Sequence, residues 1–195
     1  MVEVRPATAD EMILAFLQGD IETPAEDRRK LYAAALGAAD KAMLIEHGNL
    51  MDPQQNGARR RILGEARSAL FRGFPSDTDW RLFKVTPDEV KGFKYANHLE
   101  NWARLSASTR LVGDAVKNLD RVQNAKINGN VTGIATRLRR GERFPALIAA
   151  QLTGAAKRVL IEGHNRATAY ALTGLPDQIQ VIIGTSLQMS GWLFF

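Results

Sequence analysis

The chain has 195 residues, 45% of them apolar and 24% charged, with a formal charge of +5; that suffices for one good-sized core or two small ones. It contains no cysteine, which excludes disulfides, cysteine zinc sites and thiol catalysis. No apolar run approaches the roughly 18 residues of a membrane span, and Met1-Val-Glu-Val-Arg-Pro6 lacks the apolar stretch of a secretory signal, so the expectation is a cytoplasmic protein without membrane contact.

In chain order, Thr8-Ala-Asp10-Glu11 offers a cap and an acidic first turn for a helix to about Leu17. Pro24 opens a second helix to about His47, with Leu31, Ala34, Ala35, Ala38, Ala42 and Ile45 at helical spacing. Asn49 to Asn56, with Asp52-Pro53, reads as a turn. A third helix runs from about Gly57 to Phe71, with Arg59, Arg60 and Arg61 at its start, and Gly73-Phe-Pro75 breaks it. Pro87-Asp88-Glu89 starts a fourth, whose broad apolar side is Val90, Phe93, Tyr95, Leu99, Trp102 and Leu105. Ser106 to Thr109 ends it and caps a fifth, Arg110 to about Leu119.

Gln123 to Asn130 reads as a polar linker, after which short apolar strands alternate with helices. The expected architecture is α+β: a helical region, 1–120, packed on an α/β region, 121–195, with a short mixed sheet. Charge divides along the same line. Residues 1–120 hold 17 Lys/Arg and 18 Asp/Glu, whereas 121–195 hold 9 and 3. The basic excess favours a phosphate-bearing partner, nucleotide or nucleic acid, over a merely solubilising face. The apolar end, Gly191-Trp-Leu-Phe-Phe195, is expected to pack on the helical part or to form an oligomer contact.

The densest chemistry lies in Arg158-Val-Leu-Ile-Glu-Gly-His-Asn-Arg-Ala-Thr-Ala-Tyr-Ala-Leu-Thr-Gly174. Val159 to Ile161 is a strand, Glu162 to Arg166 a polar turn, and a helix follows to Gly174. Free N–H groups at such a helix start, with the dipole, make an anion site. Gly163 suits a tight turn or a close ligand. Arg166 opposes the dipole unless phosphate or an acidic side chain compensates it. Glu162 can hold magnesium, accept a proton from a hydroxyl, or pair with Arg166. His164 can donate to phosphate or relay a proton, or be only a polar surface residue. Asn165 can hydrogen-bond but not titrate, and Thr168 can add a hydroxyl or lie on the helix surface. Around Trp102 to Arg110, Arg104 and Arg110 with three hydroxyls can close on phosphate or form a capped helix junction. Arg137, Arg139 and Arg140 read as a basic helix face, and His47 and His98 as structural residues without partners at metal spacing.

The Glu162-Gly-His-Asn-Arg166 turn between strand and helix resembles the ParB/sulfiredoxin-like superfamily, nearest the Asp-Gly-His-His-Arg form of free-serine kinases. The likeness covers roughly residues 125–186. Ile134 to Gly141 resembles its preceding helix, Phe144 to Ile148 its incoming strand and Ile179 to Ile183 its closing strand. It implies a nucleotide site for ATP or CTP with Mg2+, with Glu142 and Arg143 bordering the nucleotide and Glu162 as metal ligand or base. Gly163 to Arg166 would cradle phosphates, and the activity would be phosphoryl transfer to a small acceptor or nucleotide hydrolysis. Asn165 departs from the second histidine of the kinase form. Nucleic-acid binding and a partner-binding role without catalysis are the alternatives. The site reading also expects Arg166→Ala to abolish nucleotide binding with little loss of stability.

Overall fold

A single six-stranded sheet organises the chain, and both its faces are covered. The structure, a computed structural model, describes residues 1–22, 26–37, 40–121 and 125–195. The strands are β1 (Val2–Pro6), β2 (Asp79–Val85), β3 (Lys94–Tyr95), β4 (Leu147–Leu152), β5 (Arg158–Glu162) and β6 (Ile179–Ser186). The α-helices are α1 (Ala9–Glu22), α2 (Glu26–Leu36), α3 (Pro53–Arg67), α4 (Pro87–Lys91), α5 (Glu100–Leu105), α6 (Val112–Asn118), α7 (Ala125–Arg139) and α8 (His164–Thr173). Spatial order is β1-β2-β6-β4-β5-β3. The β4–β6 and β5–β3 pairs are parallel and the others antiparallel. The fold is α+β with a mixed sheet.

Alternation along the central strands feeds two cores. Leu147, Ala149, Leu160, Val181 and Ile183 face a layer holding Val90, Trp102, Val112, Val131 and Tyr170. Ile148, Ala150, Val159, Ile161 and Ile182 face the opposite layer, holding Phe16, Leu17, Ile45, Ile62 and Trp192. Period-two alternation with apolar residues at every position is the pattern of a strand buried on both sides.

The sheet crosses the expected division at residue 120. β1, β2 and β3 all precede it, so the first 120 residues are helical only in part. In β2, Trp80, Leu82 and Val85 are buried while Asp79 and Lys84 are exposed. α1 runs five residues past Leu17. Its buried Met12, Phe16 and Leu17 place it on the sheet, and Thr8 Oγ1 accepts from the Glu11 amide at 3.1 Å. Pro24, the expected opening of the second helix, lies outside the described residues. That helix also stops early: α2 ends at Leu36, Gly37 follows at φ +57°, and a separate π-helical turn spans Ala42–Glu46.

The expected turn at Asp52-Pro53 is the start of α3. Asp52 accepts from the Gln54 and Gln55 amides, and Pro53 occupies the first turn, where its missing N–H matters least. The three arginines there are spent on structure. Arg59 is buried, donating to Leu44 O and Asn49 O; Arg60 pairs with Asp10 and Arg61 with Glu65. The long helix expected after Pro87 is divided. α4 closes at Gly92, Phe93 turns inward, and Lys94–Tyr95 joins the sheet edge beside β5. The linker expected from Gln123 is helix from Ala125 onward.

The C-terminal segment belongs to the second core. Trp192 is 2% exposed, its Nε1 donates to Leu70 O at 2.7 Å, and Phe74 and Phe194 meet it edge-on. Asn97 donates to Phe194 O and Phe195 O. Trp192→Ala should therefore lower unfolding free energy by about 3–5 kcal/mol, read by urea denaturation. A loss under about 1 kcal/mol would show a surface strap instead.

Candidate functional site

β5 ends at Glu162 and α8 begins at His164, so one residue, Gly163, makes the turn. It sits at φ +96°, ψ +25°, and a Cβ there would fall 2.5 Å from Leu147 Cδ2. Both conformation and crowding therefore require glycine. No side chain caps the helix. The first backbone bond into Gly163 O comes from Ala167, so the amides of His164, Asn165 and Arg166 precede the helical ladder.

This turn forms one wall of a cavity of about 580 Å³, within the usual range for small-molecule sites. Gly19 and Asp20 reach it from α1, Arg67 from α3 and Trp102 from α5. Lys126, Ile127, Asn130, Ile134 and Arg137 line it from α7. Their three- and four-residue spacing is a single helical stripe, apolar and amide-bearing between two cations.

Two carboxylates stand at the polar end, each beside a guanidinium. Arg166 Nη2 donates to Glu162 Oε1 at 3.2 Å, and Nη1 donates to Pro145 O at 2.6 Å. Gly19 permits this arrangement, because a Cβ there would overlap the Arg166 guanidinium. Asp20, 3% exposed, accepts from the Tyr32 hydroxyl at 2.5 Å and lies 3.1 Å from Arg67 Nε. Burial pushes the Glu162 carboxyl up from the ordinary carboxylate range against the pull of Arg166; Asp20 adds to the rise and Arg67 opposes it. The Tyr32 hydroxyl is likewise raised, by burial and then by Asp20.

Among the sequence candidates, Glu162, Gly163, His164, Asn165 and Arg166 all line the cavity. His164 lies beside the Tyr95–Trp102 ring pair, about equally far from each ring, with Nε2 3.2 Å from Leu160 O, which fixes its ring on the wall. Asn165 Oδ1 is buried without a hydrogen-bond partner among the described residues. Thr168 is displaced: it is fully buried, 2.8 Å from the Tyr95 hydroxyl, and donates to His164 O. The i, i+4 turn of α8 directs it into the core beneath the site. Arg104 is exposed, off the cavity lining. Arg110 also lies off the cavity; it donates to Ala96 O at 2.8 Å and takes φ +62° where its carbonyl meets Tyr95 N. Glu142 lies one step out, pairing with the cavity residue Arg137, which holds its carboxyl below the usual range. Arg137 also covers the Phe144 ring at 4.5 Å.

Asp20, Arg67, Lys126 and Asn130 line the cavity in addition to the residues expected from sequence. The stripe Lys126-Ile127-Asn130-Ile134-Arg137 carries a helical signal once Gln123 to Asn130 is not taken as linker. Asp20 and Arg67 give none, because only the tertiary fold brings α1 and α3 to β5. Among the described residues, no three His, Cys, Asp or Glu side chains cluster as a metal cage. Asp20 and Glu162 both reach the cavity, and a magnesium ion arriving on phosphate oxygens would need only one or two such carboxylates.

Comparison with known protein families, with characterised proteins and with solved structures finds no match for this chain.

The burial of Arg166, 5% exposed, reverses the expectation that its removal is harmless. Arg166→Ala leaves a buried carboxylate unpaired and should cost about 3–5 kcal/mol. Denaturant unfolding that shows under about 1 kcal/mol would contradict the pairing. The raised Glu162 carboxyl sets a sign as well. Its stabilising contribution is full below the unfolded value and lost as pH rises through the folded one. Glu162→Gln should therefore lose stability less steeply than wild type from acid to neutral pH. Parallel stability–pH curves would refute this.

Proposed function

We propose that the cavity binds the phosphates of a nucleotide, ATP or CTP with Mg2+, as the ParB/sulfiredoxin-like resemblance implies. The observation that carries this reading is the uncapped start of α8 opening onto a 580 Å³ cavity walled by Arg67, Lys126, Arg137 and Arg166. Backbone amides at a helix start hold anionic oxygens by direct hydrogen bonds and by the dipole. Lys126 and Arg137 add positive charge from α7, and Ile127, Ile134 and Phe144 offer apolar surface for a planar base.

The chemistry this supports is phosphoryl transfer to a small acceptor or nucleotide hydrolysis. Magnesium, when bound with the nucleotide, neutralises charge on the phosphates. Glu162 accepts the proton of the attacking hydroxyl or water, a role its raised carboxyl favours. Asp20 is the second acidic group available beside it. His164 holds its position on the wall through Leu160 O. Arg166 acts here through Glu162 and Pro145, keeping the carboxylate and the turn in place.

A ligand that binds only the folded state raises stability by mass action, by about 2.7 kcal/mol at a hundredfold excess over Kd. ATP, CTP, GTP and ADP, each with and without Mg2+, should therefore be screened by thermal unfolding. A rise in Tm for ATP or CTP that grows with magnesium is the expected result. No rise with any nucleotide, together with a salt-sensitive shift on adding duplex DNA, would replace this reading with nucleic-acid binding.

A further inference from the structure

The two arginines at the polar end of the cavity are bonded in different ways. Arg166 is engaged at both Nη groups: Nη1 donates to Pro145 O and Nη2 to Glu162 Oε1, and its side chain is 6% exposed. Arg67 is not. Its Nε lies 3.1 Å from Asp20 Oδ2 but out of line for a hydrogen bond, and its Nη1 and Nη2 have no hydrogen-bond partner among the described residues. The Phe16 ring supports the guanidinium from one side at 5.6 Å, and the side chain is 21% exposed. Asp20 Oδ2 is itself fixed by the Tyr32 hydroxyl, so the charge that holds Arg67 is anchored.

We propose that Arg67, not Arg166, is the guanidinium that grips the ligand's phosphate, with its two Nη groups as the binding fork. This deepens the anion-site reading above and rests on it. The planar fork matches two oxygens of a phosphate group, a geometry that lysine cannot reproduce. Arg67 ends α3, where the helix dipole favours a cation. Asp20 and Phe16 fix the side chain before the ligand arrives, which reduces the entropy lost on binding. Arg166 serves as the rigid back wall that keeps Glu162 and the glycine turn in register.

The probe is inorganic pyrophosphate, which has two linked phosphates and no base. It is titrated by calorimetry into the full chain and into Arg67→Gln, Arg67→Lys and Lys126→Ala. Arg67→Gln should weaken binding at least about tenfold, the loss of a charge-assisted pair of hydrogen bonds. Arg67→Lys should weaken it at least about threefold despite keeping the charge, and Lys126→Ala should weaken it less than Arg67→Gln. If Arg67→Gln does not fold, Arg67→Lys decides. Affinity for the Arg67 variants within about twofold of wild type overturns the proposal, as does a wild type that does not bind pyrophosphate. Pyrophosphate binding that depends on Arg67, with no response to any nucleotide, would remove the nucleotide reading and leave this one standing.

Discussion

The Glu162–Arg166 ion pair is the constraint around which the site is arranged. It closes one turn of α8 back onto the end of β5, and Arg166 carries the link on to the Pro145 carbonyl ahead of β4. Three consecutive pieces of the fold are thereby fastened at one buried point. An ion pair this enclosed adds little net stability, because desolvation offsets most of the attraction, yet it is intolerant of losing one partner. Its value is in position. It holds the glycine turn open to the cavity and makes α1 approach through Gly19, where no side chain would fit.

The second charged pair gives the cavity its asymmetry. Asp20 and Arg67 come from α1 and α3, on the far side of the sheet from most of α7 and α8. The polar end of the cavity therefore lies where the two helical layers meet around the end of β5. Cations on α7 and the amides of α8 face it from one side, and the anchored Asp20–Tyr32–Arg67 group faces it from the other. Both carboxylates have positive neighbours, so an incoming anion meets donors rather than bare acidic charge.

Much of the region after residue 140 is legible in the chain. The strand at Val159 to Ile161, the turn at Gly163, the helix stop at Gly174 and the strand from Ile179 all follow from local rules, because each is marked by glycine or by a run of apolar β-branched residues. The earlier half yields less. Phe93 and Tyr95 continue a helical spacing from Val90, yet Gly92 ends α4 and Tyr95 is drawn into the sheet by pairing with β5. That pairing lies 65 residues away, from Tyr95 to Leu160, beyond the reach of local propensity. The turn residues 162–166 of the site were visible for the same local reason. Asp20 and Arg67 were not, since neither carries a motif and their relevance exists only in three dimensions. Thr168 and Arg110 are bonded elsewhere, and Arg104 is exposed away from the cavity.

The place of β6 in the sheet bears on how the chain is made. It lies between β2 and β4, joined to one by antiparallel and to the other by parallel pairing. Until residues 179–186 leave the ribosome, the β1–β2 ribbon and the β4–β5 pair have no strand to join them. Each then presents an unpaired edge with apolar side chains, the surface most open to association with other chains. The two groups of strands must wait for one late strand before they form a single sheet. A nascent chain of this topology therefore keeps two open sheet edges until β6 emerges.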